Sequence, residues 1–128
     1  MIGNRMRAFT VTTAFALLSF AAPATASPLP YDGSWTMVLV TTNGHCGVIK
    51  MGMAVNGGHI SATSGKFVAH AISLAGIISG SGQTKINGVA GPRQAKGIGR
   101  FTKAKGSGKW DGTGPSGVCS GYWVADRA

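Results

Sequence analysis

Three histidines, three aspartates, two cysteines and a run of cations carry most of the reactive chemistry in this 128-residue chain. His45, His59 and His70, with the thioethers of Met37, Met51 and Met53, are the groups that could ligate a metal or haem iron. Their spacing repeats no ligand motif, and no Cys-x-x-Cys-His attachment sequence occurs. The expectation is therefore no cofactor and no metal site, with the histidines in turns or facing solvent and the methionines filling a core. Hydrolysis is poorly supplied too. Asp32, Asp111 and Asp126 are the only acids, so material for a carboxylate pair is scarce, and no Gly-x-Ser-x-Gly elbow is present. We expect no catalytic residues and a protein that is not an enzyme.

The cations form a clearer pattern. Arg93, Lys96, Arg100, Lys103, Lys105 and Lys109 fall within seventeen residues that contain no acid. Such a run expects an anion-binding surface, electrostatic and salt-sensitive. The partners that fit are anionic polysaccharide, lipopolysaccharide, anionic lipid or another polyanion. Nucleic acid is the less expected partner, because nothing beside the cations would read bases.

These residues must be placed by an exported domain. Arg5 and Arg7 precede the apolar run "AFTVTTAFALLSFAA", and "ATA" stands before Ser27, which is the pattern of a signal peptide spanning residues 1–26. The apolar run is short for a membrane span. Removing the leader leaves residues 27–128 as one domain, periplasmic or secreted, with ten Lys and Arg against three Asp and a net charge of about +7. Cys46 and Cys119 then make an even pair, most simply one disulfide in an oxidising compartment.

Glycine supplies twenty of the residues after Ser27, and no capped apolar stripe of helical period survives among them. Alternation at period two recurs instead, between turn signals spaced for an antiparallel meander of seven or eight short strands curled into a barrel. Trp35, Met37 and Leu39 share one face of "GSWTMVLV"; Ile49, Met51, Met53 and Val55 share one face of "VIKMGMAV". "NGG" at Asn56–Gly58 reads as a hairpin turn. "FVAHAISLAGII" is apolar on both faces and reads as a buried strand, or else a short helix. "QAKGIGRFT" sets Ala95, Gly97, Gly99 and Phe101 against Lys96, Ile98 and Arg100. The same parity places Trp110 with Gly106, Gly108 and Gly112, and Trp123 with Cys119, Gly121 and Ala125.

Each tryptophan stands two residues after a glycine, and each faces the small side of its strand. Trp35, Trp110 and Trp123 are thus expected in the core, laid into hollows that glycines leave on neighbouring strands. That placement argues against sugar recognition by stacked rings, and leaves Tyr122 as the outward aromatic. Cys46 lies on the opposite parity from Ile49, so an inward cysteine requires a bulge near Gly47.

The set "YDGSW", a cysteine early in the second strand, "QAKGIGRF", "GSGKWDG" and "GVCSGYW" resembles a group of small exported alphaproteobacterial proteins of rhizobial type, glycine- and serine-rich, some labelled for heme utilization or adhesion. The resemblance covers most of the chain after the leader, is strongest from Gln94 to Trp123, and brings no catalytic residues with it. The opening Gly-x-Trp is also similar to the first strand of lipocalin-like and avidin-like barrels, which supports the architecture. Together these features lead to a binding module whose basic hairpin meets an anionic surface. A small-ligand carrier using the barrel interior, haem included, is the rival reading, and an inhibitor of a hydrolase is the third.

Overall fold

A computed structural model describes residues 29–128, so the signal peptide expected over residues 1–26 lies outside the described residues. The described chain is all β. In order it forms β1 (Gly33–Asn43), β2 (Val48–Asn56), β3 (His59–Ser64), β4 (Lys66–Phe67), β5 (His70–Ala71), β6 (Ser73–Ile78), β7 (Gln83–Ala90), β8 (Arg93–Phe101), β9 (Lys105–Gly114) and β10 (Gly117–Arg127). Eight of them close an antiparallel barrel in the order β1-β10-β9-β8-β7-β6-β3-β2, with β2 pairing back to β1. Closure leaves the barrel no free sheet edge, which suits strands too glycine-rich to bury one.

The period-two reading places the core correctly. Trp35, Met37, Met51, Met53, Val55, Ile86, Phe101, Trp110 and Trp123 are all buried, whereas the intervening residues face solvent. Asn56 pairs with His59 across a two-residue turn, Gly57–Gly58, whose φ angles of 59° and 78° explain why both residues are glycine.

One segment departs from the expectation. "FVAHAISLAGII" is neither one buried strand nor a helix; it breaks into the hairpin β4–β5 and the barrel strand β6. Val68 and Ala69 make the hairpin turn at φ 48° and 63°, a left-handed conformation costly for Val in particular. The apolar residues divide between the two faces accordingly: Phe67, Ile72 and Leu74 pack against the core, while Val68 and Ile77 are exposed. A second difference concerns Cys46. It sits in the β1–β2 loop ahead of β2, and the irregularity expected near Gly47 falls in that loop, where Gly44 and Gly47 both take positive φ. The disulfide itself is formed between Cys46 and Cys119, with Cα atoms 6.2 Å apart. It fits the oxidising compartment expected of an exported chain.

The tryptophans and glycines interlock reciprocally. Lys109 faces Tyr122 at the centre of the β9–β10 pair, which sets Trp110 opposite Gly121 and Trp123 opposite Gly108. Each Gly-x-Trp unit thereby offers its own glycine to the other unit's ring. The Trp123 indole crosses β9 and donates through Nε1 to the Ile98 carbonyl on β8 at 3.1 Å. The Trp110 indole crosses β10 and donates to the Val40 carbonyl on β1 at 3.3 Å. A side chain at the crossed glycine would occupy the ring's path. The third indole, Trp35, donates to the Tyr31 carbonyl at 2.8 Å, so all three buried N–H groups are satisfied.

These rings make one end of the barrel solid. Phe101 stands edge-on to Trp35 at 5.0 Å between centroids and lies 5.6 Å from Trp123, and Tyr31 seals the same end with its hydroxyl on the Gly80 carbonyl. Arg127 latches it. The guanidinium lies 4.4 Å from the Trp35 ring and donates to the carbonyls of Pro30, Asp32 and Lys103, joining both ends of the described chain to the β8–β9 turn. The Asp32 carboxylate accepts from the Gly57 and Gly58 amides and ties in the β2–β3 turn.

Candidate functional site

The opposite end of the barrel is not filled. Beyond Trp123 and Trp110 the barrel runs to a mouth bounded by the β1–β2 loop, the β4–β5 hairpin, the β7–β8 turn and the β9–β10 turn. Inside the mouth lies a cavity of about 90 Å³. That is several times the ~10–15 Å³ that one water needs, yet smaller than the ~150 Å³ of an engineered void that takes benzene. Its wall is almost wholly apolar: Met37, Met51, Leu74, Ile86, Trp110 and the Cys46–Cys119 bridge carry most of it, with Ala95 and Gly112 on the far side. Water confined there meets few hydrogen-bonding groups, so an apolar occupant gains by displacing it.

Small residues create this space. Along β7, β8 and β9 the inward positions near the mouth are Gly88, Ala95 and Gly112, while the facing strands carry Met and Leu. The same alternation of large and small that packs the closed end leaves a deficit of volume here, where the Trp110 ring reaches Gly112 but fills only one side.

One charged side chain belongs to the mouth. Arg93 opens β8 on the same parity as Ala95 and Gly97, and its guanidinium carbon stands 5.5 Å from the centre of the Phe67 ring. Its stem rests against Gly114, where an added Cβ would come within 2.7 Å of the Arg93 Cγ. The ion pair found among the described residues is Lys105–Asp126, 3.7 Å apart and exposed, so no carboxylate neutralises Arg93. The Phe67 that supports it is presented by the strained β4–β5 hairpin.

The structure divides the other cations called from the sequence. Lys96, Arg100 and Lys109 project outward from β8 and β9, as expected. Lys103 lies in the β8–β9 turn at the closed end, and Lys105 faces Asp126. Arg93 is the one turned away from this face, toward the interior. Lys85 on β7 takes its place, a residue that a strand-by-strand reading leaves apart from the group.

In register across the sheet, Ile77, Lys85, Ile98, Lys109 and Tyr122 form one outer row. Ile98 is 62% exposed between the two lysines. Lys96 stands beside Asn87 and Asp111 in the next row, and Arg100 beside Gln83 and Ser107 in the row on the other side.

The remaining candidates are placed apart from one another. His45 lies in the β1–β2 loop, His59 at the start of β3 and His70 in β5, all exposed, while Met37, Met51 and Met53 are buried. His70 packs its ring against Gly91 beside the mouth. No group of three metal-ligating side chains gathers among the described residues. Trp35, Trp110 and Trp123 are core residues, at 1%, 6% and 1% exposure, so these three rings form no platform for stacking. Compared with known proteins, the chain matches no family model and no curated sequence.

Proposed function

We propose that the protein is an exported, non-enzymatic carrier that holds a small apolar ligand inside the open half of its barrel. The observation that carries this reading is the cavity of about 90 Å³, lined by apolar side chains, in a barrel whose other half is filled by two tryptophans and a phenylalanine. A core packed to ordinary density leaves no such space, and this one opens to solvent at the mouth. Haem is too large for the cavity as it stands: pockets for ligands of that size need several hundred Å³. The space suits the last few carbons of one alkyl chain, with the rest of the chain in the open mouth.

Calorimetric titration with 1-octanol tests the reading. The native protein is expected to bind at one saturable site, and Leu74→Phe or Ala95→Leu, which fill the cavity from two sides, to weaken binding about tenfold or more while the disulfide-bonded fold is retained. Equal binding by the native protein and both filled variants would remove the interior as the site.

A second reading is favoured by the outer row. Lys85, Lys96, Arg100 and Lys109 stand on adjoining strands, and Asp111 is the acid among them. Such a face attaches the carrier to anionic envelope polymers such as lipopolysaccharide or acidic polysaccharide, through charge and not through a shaped pocket. Reversing these four residues to Glu is expected to abolish retention on heparin at low salt. The native protein should elute progressively earlier as salt rises, in the manner of screened surface charge. Retention by the four-Glu variant at the native salt concentration would exclude the face.

A further inference from the structure

We propose that the ligand is a single-chain alkyl carboxylate, held with its tail in the cavity and its carboxylate on Arg93. The inference rests on the carrier reading and adds the ligand's chemical class to it. Three observations converge. The cavity is apolar and smaller than the ~150 Å³ void that takes benzene, so the end of an unbranched hydrocarbon fits where a ring does not. It is open at one end, so a polar head stays at the mouth while the chain enters. Arg93 stands at that mouth without a carboxylate partner, its stem against Gly114 and its guanidinium beside Phe67.

A guanidinium placed this way has donors to spare. Phe67 covers it from one side, and the described chain offers its planar fork no acid. A carboxylate matches that fork with two parallel N–H···O bonds, whereas an alcohol accepts only one and an ammonium is repelled. The apolar wall beneath Arg93 lowers the local dielectric and strengthens the pair relative to a fully solvated one.

The experiment compares octanoate, 1-octanol and octylammonium by calorimetry on the full disulfide-bonded protein, native and Arg93→Gln, with Arg93→Lys as the conservative variant. The native protein is expected to bind octanoate about tenfold or more tighter than 1-octanol, a margin typical of a charge-assisted hydrogen bond, and octylammonium weakest. Arg93→Gln should bring octanoate down to the level of 1-octanol and leave 1-octanol within about twofold, with Arg93→Lys in between. Equal affinity of the native protein for octanoate and 1-octanol overturns the carboxylate inference while leaving the carrier standing. A preference that survives in Arg93→Gln overturns the role of Arg93. Failure of all three compounds to bind removes the carrier reading, and the inference with it. Should Arg93→Gln not fold, the order of the three compounds on the native protein and on Arg93→Lys decides.

Discussion

Gly108→Val is expected to destabilise the barrel by roughly 4 kcal/mol or more, a large part of the 5–15 kcal/mol that a domain of this size possesses. A Cβ at Gly108 falls onto the Ile98 carbonyl oxygen and within 2.7 Å of the Trp123 Nε1. The indole can then neither lie across β9 nor donate to that carbonyl, so overpacking adds to the loss of a buried hydrogen bond. Lys109→Val, one residue on and pointing outward, is the matched control and should shift stability by less than about 0.5 kcal/mol. Chemical denaturation followed by tryptophan emission measures both. Near-native stability of Gly108→Val would mean that the reciprocal glycine and tryptophan arrangement does not hold the core.

Opening the Cys46–Cys119 bridge is the second large effect. The bridge spans 73 residues of sequence. The chain-entropy argument assigns a loop of that length ~4 kcal/mol of stabilisation, acting on the unfolded chain. Reduction, or Cys46→Ala with Cys119→Ala, is therefore expected to lower the urea midpoint by roughly 2 M. The bridge also lines the mouth of the cavity. Its loss should weaken alkyl-chain binding under conditions where the barrel remains folded, whereas the closed end, fastened by Arg127 and Trp35, should keep its hydrogen bonds. An unchanged midpoint on reduction would show that the barrel does not depend on the cross-link.

Much of this architecture is legible in the residues, and the reason is parity. An alternating strand states which face is inside, and the small residues beside each tryptophan state where a ring can lie. Hence the barrel, the inward tryptophans, the outward Tyr122 and the Asn56–Gly58 turn follow from local pattern. What is not legible depends on pairing between distant strands. The reciprocity of Gly108 with Trp123 and of Gly121 with Trp110 requires the β9–β10 register, although the two Gly-x-Trp units contain it once they are aligned antiparallel about Lys109 and Tyr122. The β4–β5 turn is hidden because Val68 and Ala69 carry none of the Gly or Asn signals of left-handed turns.

Arg93 is the instructive case among the candidate site residues. Charge density groups it with Lys96 and Arg100, but its parity is that of Ala95 and Gly97, which points it to the interior. The alternation that marks the core is sufficient to separate it from the outward cations. Lys85 is the converse, outward by parity and joined to Lys109 only through the row across β8. Arg127 and Asp32 carry no local signal at all. Their roles come from the meeting of the two ends of the described chain at the closed end of the barrel.

The open half of the barrel is the proposed binding site. Titration of the isotope-labelled protein with octanoate, followed by two-dimensional NMR of its methyl and indole signals, tests this most directly. The expected result is saturable shifts concentrated at Met37, Met51, Ile86 and Trp110, with Trp35 at the sealed end unmoved. Shifts confined to the outer row around Ile98, or no saturable shift at all, would contradict it.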